Sequence, residues 1–181
     1  PHPATDWAAQ LEAVEAVYLP IAAAVTARQR LLVVCNDTDH RASVRGRLAA
    51  AGIPRGAVAL AIAASNDTWA RDHGPLTVVD SAGRAQSMDF RFNGWGGKFP
   101  ADLDDRITAR LHADGWFGDT ELTASALVLE GGAIDTDGAG NLLAVRRTVL
   151  DPARNPGWDQ AAIEKELART LGIRRCLWLE H

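Results

Sequence analysis

Apolar residues near the start of the chain recur at spacings of three and four, at Trp7, Leu11, Val14 and Tyr18, and the pattern continues weakly through Ala27. With Thr5 or Asp6 as its cap, this spacing predicts an amphipathic entry helix over 5–27. Leu31-Leu32-Val33-Val34-Cys35 has no such period. It is a short, wholly apolar run stopped by Asn36-Asp37, which predicts a strand buried on both faces. From Asp39 to Ala51, Val44 and Leu48 face one way and Arg41, Arg45 and Arg47 another, so a helix follows, closed by Gly52. Val58 to Ile62 reads as strand and Ser65-Asn66-Asp67 breaks it. After Gly74-Pro75, Leu76 to Val79 is strand again, turning at 80–83.

The same order then repeats. Gln86 to Phe92 reads as a strand, Asp102 to Leu111 as a helix and Ala126 to Leu129 as an apolar strand. Ile134 and Leu142 to Val145 form the arms of a hairpin around Asp137-Gly138. A third unit starts with Thr148-Val149-Leu150, continues in a helix from Asp159 to Leu171 closed by Gly172, and ends in the strand Ile173 to Leu179. Strand, helix, strand, polar loop and hairpin thus recur at a period of roughly 50 to 65 residues. The expected organisation is one partial α/β domain over 1–181, with approximate units 31–85, 86–145 and 146–181 and no linker between them. Because the third unit stops at Glu180-His181, before its loop and hairpin, the natural protein is expected to continue. The other reading makes Leu179-Glu180-His181 part of an added tag.

Composition narrows the class. The 181 residues carry 23 Asp and Glu against 19 Lys and Arg, a formal charge of −4, which argues against a phosphate-binding surface and so against nucleic acid as a partner. At 47% hydrophobic and 23% charged residues, the chain can bury a sizeable core. The longest apolar runs, such as Ala57 to Ala64, fall far short of the roughly 20 residues a membrane span needs, so no transmembrane segment and no membrane partner are expected. Pro1-His2-Pro3 lacks signal-peptide features and two cysteines are too few for a disulfide scaffold, leaving the cytoplasm as the expected address.

Chemistry concentrates in two places, both after apolar strands: Asn66 to Pro75, which contains Trp69, Asp72 and His73, and Leu129-Glu130-Gly131-Gly132. Trp69 and Asp72 lie three apart on a compact turn, an aromatic face beside an anion. Such a pair suits a guanidinium, which stacks on an indole and gives two parallel hydrogen bonds to a carboxylate. The residues equally fit a plainer reading, in which Asp72 caps a turn, Arg71 pairs with an acid and Trp69 packs in the core. For Glu130-Gly131-Gly132 the plainer reading is a strand-ending turn with a solvated acid.

Taken in order, Asn66-Asp67-Thr68-Trp69-Ala70-Arg71-Asp72-His73-Gly74-Pro75, Asp89-Phe90-Arg91-Phe92-Asn93-Gly94-Trp95-Gly96-Gly97-Lys98 and Leu129-Glu130-Gly131-Gly132 resemble the agmatine deiminase branch of the guanidino-group modifying enzymes, a family that includes the bacterial peptidyl-arginine deiminases. Arg154-Asn155-Pro156 fits the same family, and the resemblance covers most of the chain as an N-terminal portion. It implies a pentein fold, a propeller of five pseudo-repeated ββαβ units around a central pocket, of which about two and a half are present here. It implies hydrolysis of agmatine to N-carbamoylputrescine and ammonia, a step of putrescine and polyamine formation, without metal or organic cofactor. A cysteine thiolate attacks the guanidinium carbon and a histidine protonates the departing ammonia.

Carried onto this sequence, the resemblance makes Asp72 and Glu130 catalytic, Asp72 binding the guanidinium nitrogens and Glu130 holding the histidine. Trp69, Asp72 and Asp67 bind substrate. The family's Gly-His-x-Asp motif and late cysteine are not among these residues. Cys35 and Cys176 read as core thiols, His73 as a supporting or surface group, and His181 has no matching motif around it. The chain alone is therefore expected to be inactive, and to self-associate through exposed propeller edges. A peptidyl-arginine deiminase is the nearest alternative, but such enzymes place arginines where Gly94, Trp95 and Gly96 stand. A non-catalytic truncated pentein module is the other. Asp135 to Asn141 starts like a calcium loop but has Ala139 and Arg146 at ligand positions, which makes it a hairpin turn.

Overall fold

The computed structural model describes residues 1–180. The chain divides into two compact units, Pro1–Thr68 and Trp69 onward.

In the first unit a 3₁₀ turn, Ala8–Gln10, runs into α1 (Leu11–Thr26). β1 (Leu31–Cys35), α2 (Thr38–Ala50) and β2 (Val58–Ile62) then make a pair of parallel strands joined by a helix, in register from Leu31 opposite Val58 to Cys35 opposite Ile62. Asp37 caps α2 by accepting from the His40 amide at 2.8 Å. Gly52, at φ 74°, ends the helix in the conformation that favours glycine. Ala22, Leu48 and Ile53 form the core, with Leu19, Leu31, Val44, Val58 and Leu60 against it.

Two expectations change here. β1 is half-buried apart from Cys35, because its sheet has only two strands. The helical segment Ala8–Thr26, with a mean hydropathy of 1.3, is long and apolar enough to cross a membrane by length and composition. Counting uninterrupted apolar runs missed it, since Glu12, Glu15 and interspersed alanines break the run without breaking the helix. Thr5 is not its cap; the Thr5 hydroxyl donates to the His2 carbonyl at 2.8 Å. Val17, Tyr18 and Ile21 stay exposed.

The second unit opens with the single turn α3 (Ala70–His73) and the hairpin of β3 (Leu76–Val79) with β4 (Ala85–Arg91). The short turn α4 (Gly94–Gly97), a 3₁₀ turn Asp104–Arg106 and α5 (Ile107–Ala113) carry the chain to β5 (Glu121–Val128), parallel to β4. A 3₁₀ turn, Gly131–Ala133, leads to the hairpin of β6 (Ile134–Thr136) with β7 (Asn141–Val145). Then α6 (Arg146–Val149) and α7 (Gln160–Leu171) precede β8 (Arg175–Leu179), parallel to β7.

The fold is mixed α/β. A helix joins two parallel strands three times, β1-α2-β2, β4-α5-β5 and β7-α7-β8, and hairpins stand between these connections. The strands group into three separate sheets. Leu127, Leu142, Ile163 and Leu167 are fully buried at the centre of the second unit's core, where the amphipathic α7 supplies two of the four.

Three elements differ from the sequence pattern. β5 begins at Glu121 rather than Ala126, because its first half, Glu121 to Ser125, alternates polar residues with Leu122 and Ala124 and pairs Gln86 to Asp89 without an apolar run. Asp102 to Leu111 divides into the 3₁₀ turn and the later α5. Thr148 to Leu150 is not strand: α6 turns there, and the buried Asn155 amide explains why. Its Nδ2 donates to the Val128 and Val149 carbonyls, each at 2.9 Å, and its Oδ1 accepts from the Val128 amide at 2.9 Å. That one side chain satisfies the backbone that a neighbouring strand otherwise would.

Candidate functional site

Two glycines let the two candidate loops meet. A Cβ on Gly131 would stand 2.1 Å from the Arg71 carbonyl oxygen, and one on Gly132 would stand 2.8 Å from Asp72 Oδ1. The turn after β5 therefore lies directly on α3. Asp72 Oδ1 accepts from the Gly132 amide at 2.9 Å, and Oδ2 accepts from the Trp95 indole at 3.2 Å. Both oxygens are thus held by N–H donors, one from a backbone and one from an aromatic ring.

Trp95 reaches Asp72 because α4 winds left-handed. Trp95 has φ 60° and ψ 46°, the single non-glycine residue with positive φ among the described residues, and Gly94, Gly96 and Gly97 share the positive sign. Asn93 fixes the turn by accepting from the Gly96 amide at 2.9 Å and donating to the Ala153 carbonyl at 3.0 Å. Trp95 meets Phe92, Phe99 and Trp69 edge to face, at centroid separations of 5.0, 5.7 and 6.0 Å. Trp69 is 44% exposed.

Glu130 is buried, 5% exposed, and its charge is met by Arg154. Arg154 Nε lies 2.6 Å from Oε1 and Nη2 3.3 Å from Oε2, while Nη1 reaches Asp151 at 2.7 Å. Gly96 seats the α4 turn against this network, since a Cβ there would come within 3.2 Å of Ala153 and 3.4 Å of Arg154 Nη1.

Of the residues singled out in the sequence, Trp69 and Asp72 thus share one turn. Glu130 begins the segment whose Gly132 amide holds Asp72, and its own carboxylate faces Arg154. Asp67 belongs to the first unit, where it accepts from the Trp7 indole and the Thr68 amide, both at 2.8 Å. His73 is no surface group: it is 7% exposed and lies 5.9 Å from Phe92, with Nδ1 unpartnered. Burial lowers its pKa against the opposing pull of Asp104 and Asp72. Cys35 is buried and Cys176 partly so, and burial pushes both thiols up, away from the reactive thiolate. His181 lies outside the described residues. Sequence reasoning missed Trp95 and Arg154 as parts of the site. The signal for Trp95 was its glycine-rich setting, which permits left-handed backbone.

β4 carries one further perturbed group. Burial, with Asp105 nearby, pushes the Asp89 carboxyl up to about 6, Arg91 opposing. The folded chain holds this proton more tightly than the unfolded one. Stability from it is complete below the ordinary carboxylate pKa and is lost as pH rises through about 6. Asp89→Asn stays neutral throughout, so its advantage over the parent in thermal melts should be absent near pH 4 and grow up to about pH 7. A gap that does not change with pH would contradict this.

Residues 1–181 match the family model described as Porphyromonas-type peptidyl-arginine deiminase. Proteins provisionally named agmatine deiminase match from Yersinia pseudotuberculosis, 36% identical over 135 residues, 68% of this chain and 34% of that one, and from Selenomonas ruminantium, 31% identical over 171 residues, 92% of this chain and 45% of that one. A substrate-bound cysteine-to-serine variant of the C. jejuni agmatine deiminase superposes with a TM-score of 0.85 at 29% identity, over 99% of this chain and 51% of that one. A structure from Porphyromonas gingivalis, provisionally named arginine deiminase, superposes with a TM-score of 0.82 at 41% identity, over 100% of this chain and 52% of that one. The chain thus spans less than half of these curated relatives and about half of the solved chains. With the family model matched along its whole length, the chain belongs to the Porphyromonas-type peptidyl-arginine deiminase family.

Proposed function

We propose that the protein of which these residues are part hydrolyses the guanidinium group of agmatine, with water as co-substrate, to N-carbamoylputrescine and ammonia. The observation that carries the reading is the Asp72 carboxylate, held by two N–H donors on the same turn as the partly exposed Trp69. A delocalised guanidinium is a poor electrophile, and attack on its carbon needs the plane held still. Asp72 supplies two acceptors to the guanidinium nitrogens and Trp69 supplies a wall for stacking. Glu130, paired with the Arg154 guanidinium, orients the histidine that protonates the departing ammonia.

The nucleophilic cysteine and that histidine come, in this reading, from the rest of a pentein propeller, because Cys35 and Cys176 are core thiols with raised pKa. Agmatine deiminases among the solved relatives support the substrate. The family description and a solved relative named peptidyl-arginine deiminase favour a second reading, deimination of arginine in peptides. Gly94, Trp95 and Gly96 argue against it, since they present no cation for a carboxylate of the substrate.

Ammonia and ureido product should form when the complete natural protein meets agmatine, with no comparable product from a peptide ending in arginine. The reverse preference would select the second reading, and activity on neither would remove both. The 181-residue chain alone should release no ammonia, because carboxylates cannot replace the covalent thiolate. Product that disappears in Cys35→Ser or Cys176→Ser would give the chemistry to one of these thiols instead.

A further inference from the structure

We infer that Trp95 is a positioning residue for Asp72: its indole N–H and the Gly132 amide lock the carboxylate plane, one donor on each oxygen, and leave a fork matched to a planar, N-substituted guanidinium. The inference rests on Asp72 being the guanidinium acceptor, as proposed above.

An ionised carboxylate offers about four in-plane acceptor sites, two on each oxygen. Gly132 takes one on Oδ1 and Trp95 takes one on Oδ2, at 2.9 and 3.2 Å. One site remains on each oxygen, which is what two parallel guanidinium N–H groups require. Without the fixed donors, rotation about the Cβ–Cγ bond would spread those two sites over many orientations. An ammonium is indifferent to that spread, because it is a compact point charge with rotatable donors. A guanidinium is not, because its hydrogens are coplanar. Locking the plane therefore selects between cations of equal charge.

Packing alone does not explain why tryptophan stands here. Phenylalanine would keep the edge-to-face contacts with Phe92, Phe99 and Trp69. A non-glycine residue is rarely left-handed, and here the turn is held in that state by Asn93 and by the close seating of Gly96 on Ala153 and Arg154. That support aims the indole nitrogen at Asp72. It also joins the Asp72 fork to the Arg154–Glu130 pair through one short turn, so both carboxylates are positioned by the same backbone.

The test uses the complete natural protein with 15N-labelled tryptophan, and titrates it with agmatine and with 1,4-diaminobutane, which lacks the guanidinium. One tryptophan indole signal should vanish in Trp95→Phe, and that same signal should shift in Asp72→Asn. Trp95→Phe should weaken agmatine about tenfold, the loss expected for a hydrogen bond to a charged group, and leave diaminobutane binding within about twofold. Gly132→Ala, which disturbs the other donor, should show the same selectivity. Equal losses for both cations would mean a structural role and overturn the inference. So would unchanged agmatine binding in Trp95→Phe while Asp72→Asn loses it, and in that case Asp72 keeps its assigned role. A parent protein that does not bind agmatine at all would overturn both. If Trp95→Phe does not fold, the indole signal of the parent decides: no shift in Asp72→Asn refutes the bond itself.

Discussion

Arg154→Met is expected to cost about 3 to 5 kcal/mol of stability, measured by urea denaturation, because it strands a buried charge. The side chains of Arg154 and Glu130 keep only 11% and 6% of their surface, so water cannot replace the lost partner. Asp151 also loses its contact with Nη1, but it is more exposed and finds solvent instead. The cost should therefore come almost wholly from Glu130. A second substitution can isolate it: in Glu130→Gln/Arg154→Met the stranded group is neutral, and more than half of the lost stability should return. Because the two residues touch, their effects cannot add, and the coupling in the double-mutant cycle measures the stranded charge. A loss below about 1 kcal/mol in Arg154→Met, or no recovery in the double variant, would mean that the pair is effectively solvated and that Glu130 is not held for chemistry.

This ion pair also marks where sequence reading ran out. Strands with short apolar runs, such as Leu31–Cys35 and Val58–Ile62, were legible because an unbroken apolar run without helical period marks an extended segment, even though both lie mostly half-buried. So were α2 and α7, whose caps Asp37 and Asp159 and closing glycines Gly52 and Gly172 stand at their ends. β5 was half legible, since its first residues gain their place from backbone pairing with β4 rather than from hydrophobicity. The site behaved in the same way. Trp69 and Asp72 could be paired from a spacing of three, but the partner of Glu130 lies 24 positions away with no period linking them. Trp95 was hidden for another reason: its direction depends on a left-handed backbone, which no propensity for tryptophan suggests. Both glycines after Glu130 were visible in the sequence, and only the structure tells them apart.

Gly131→Ala and Gly132→Ala should part along that difference, the first failing in stability and the second in binding. At Gly131 the added carbon would lie 2.1 Å from the Arg71 carbonyl oxygen, a backbone atom of α3 that cannot swing aside. Relief requires the turn after β5 to lift from α3, which breaks the Gly132 to Asp72 hydrogen bond and opens the buried Glu130 pair to water. A loss of about 3 kcal/mol is expected. At Gly132 the added carbon would stand 2.8 Å from Asp72 Oδ1, the far end of a side chain, and the residue is exposed. The carboxylate can rotate away, so the stability change should stay within about 1 kcal/mol, helped by the smaller entropy of the unfolded chain. Rotation turns the Asp72 fork, however, and agmatine affinity should fall about tenfold with melting nearly unchanged. Melting curves and agmatine titrations on the two variants decide the matter. If Gly132→Ala binds agmatine like the parent, the orientation of Asp72 does not matter for recognition, and if Gly131→Ala is as stable as the parent, the two loops are not seated on one another as described.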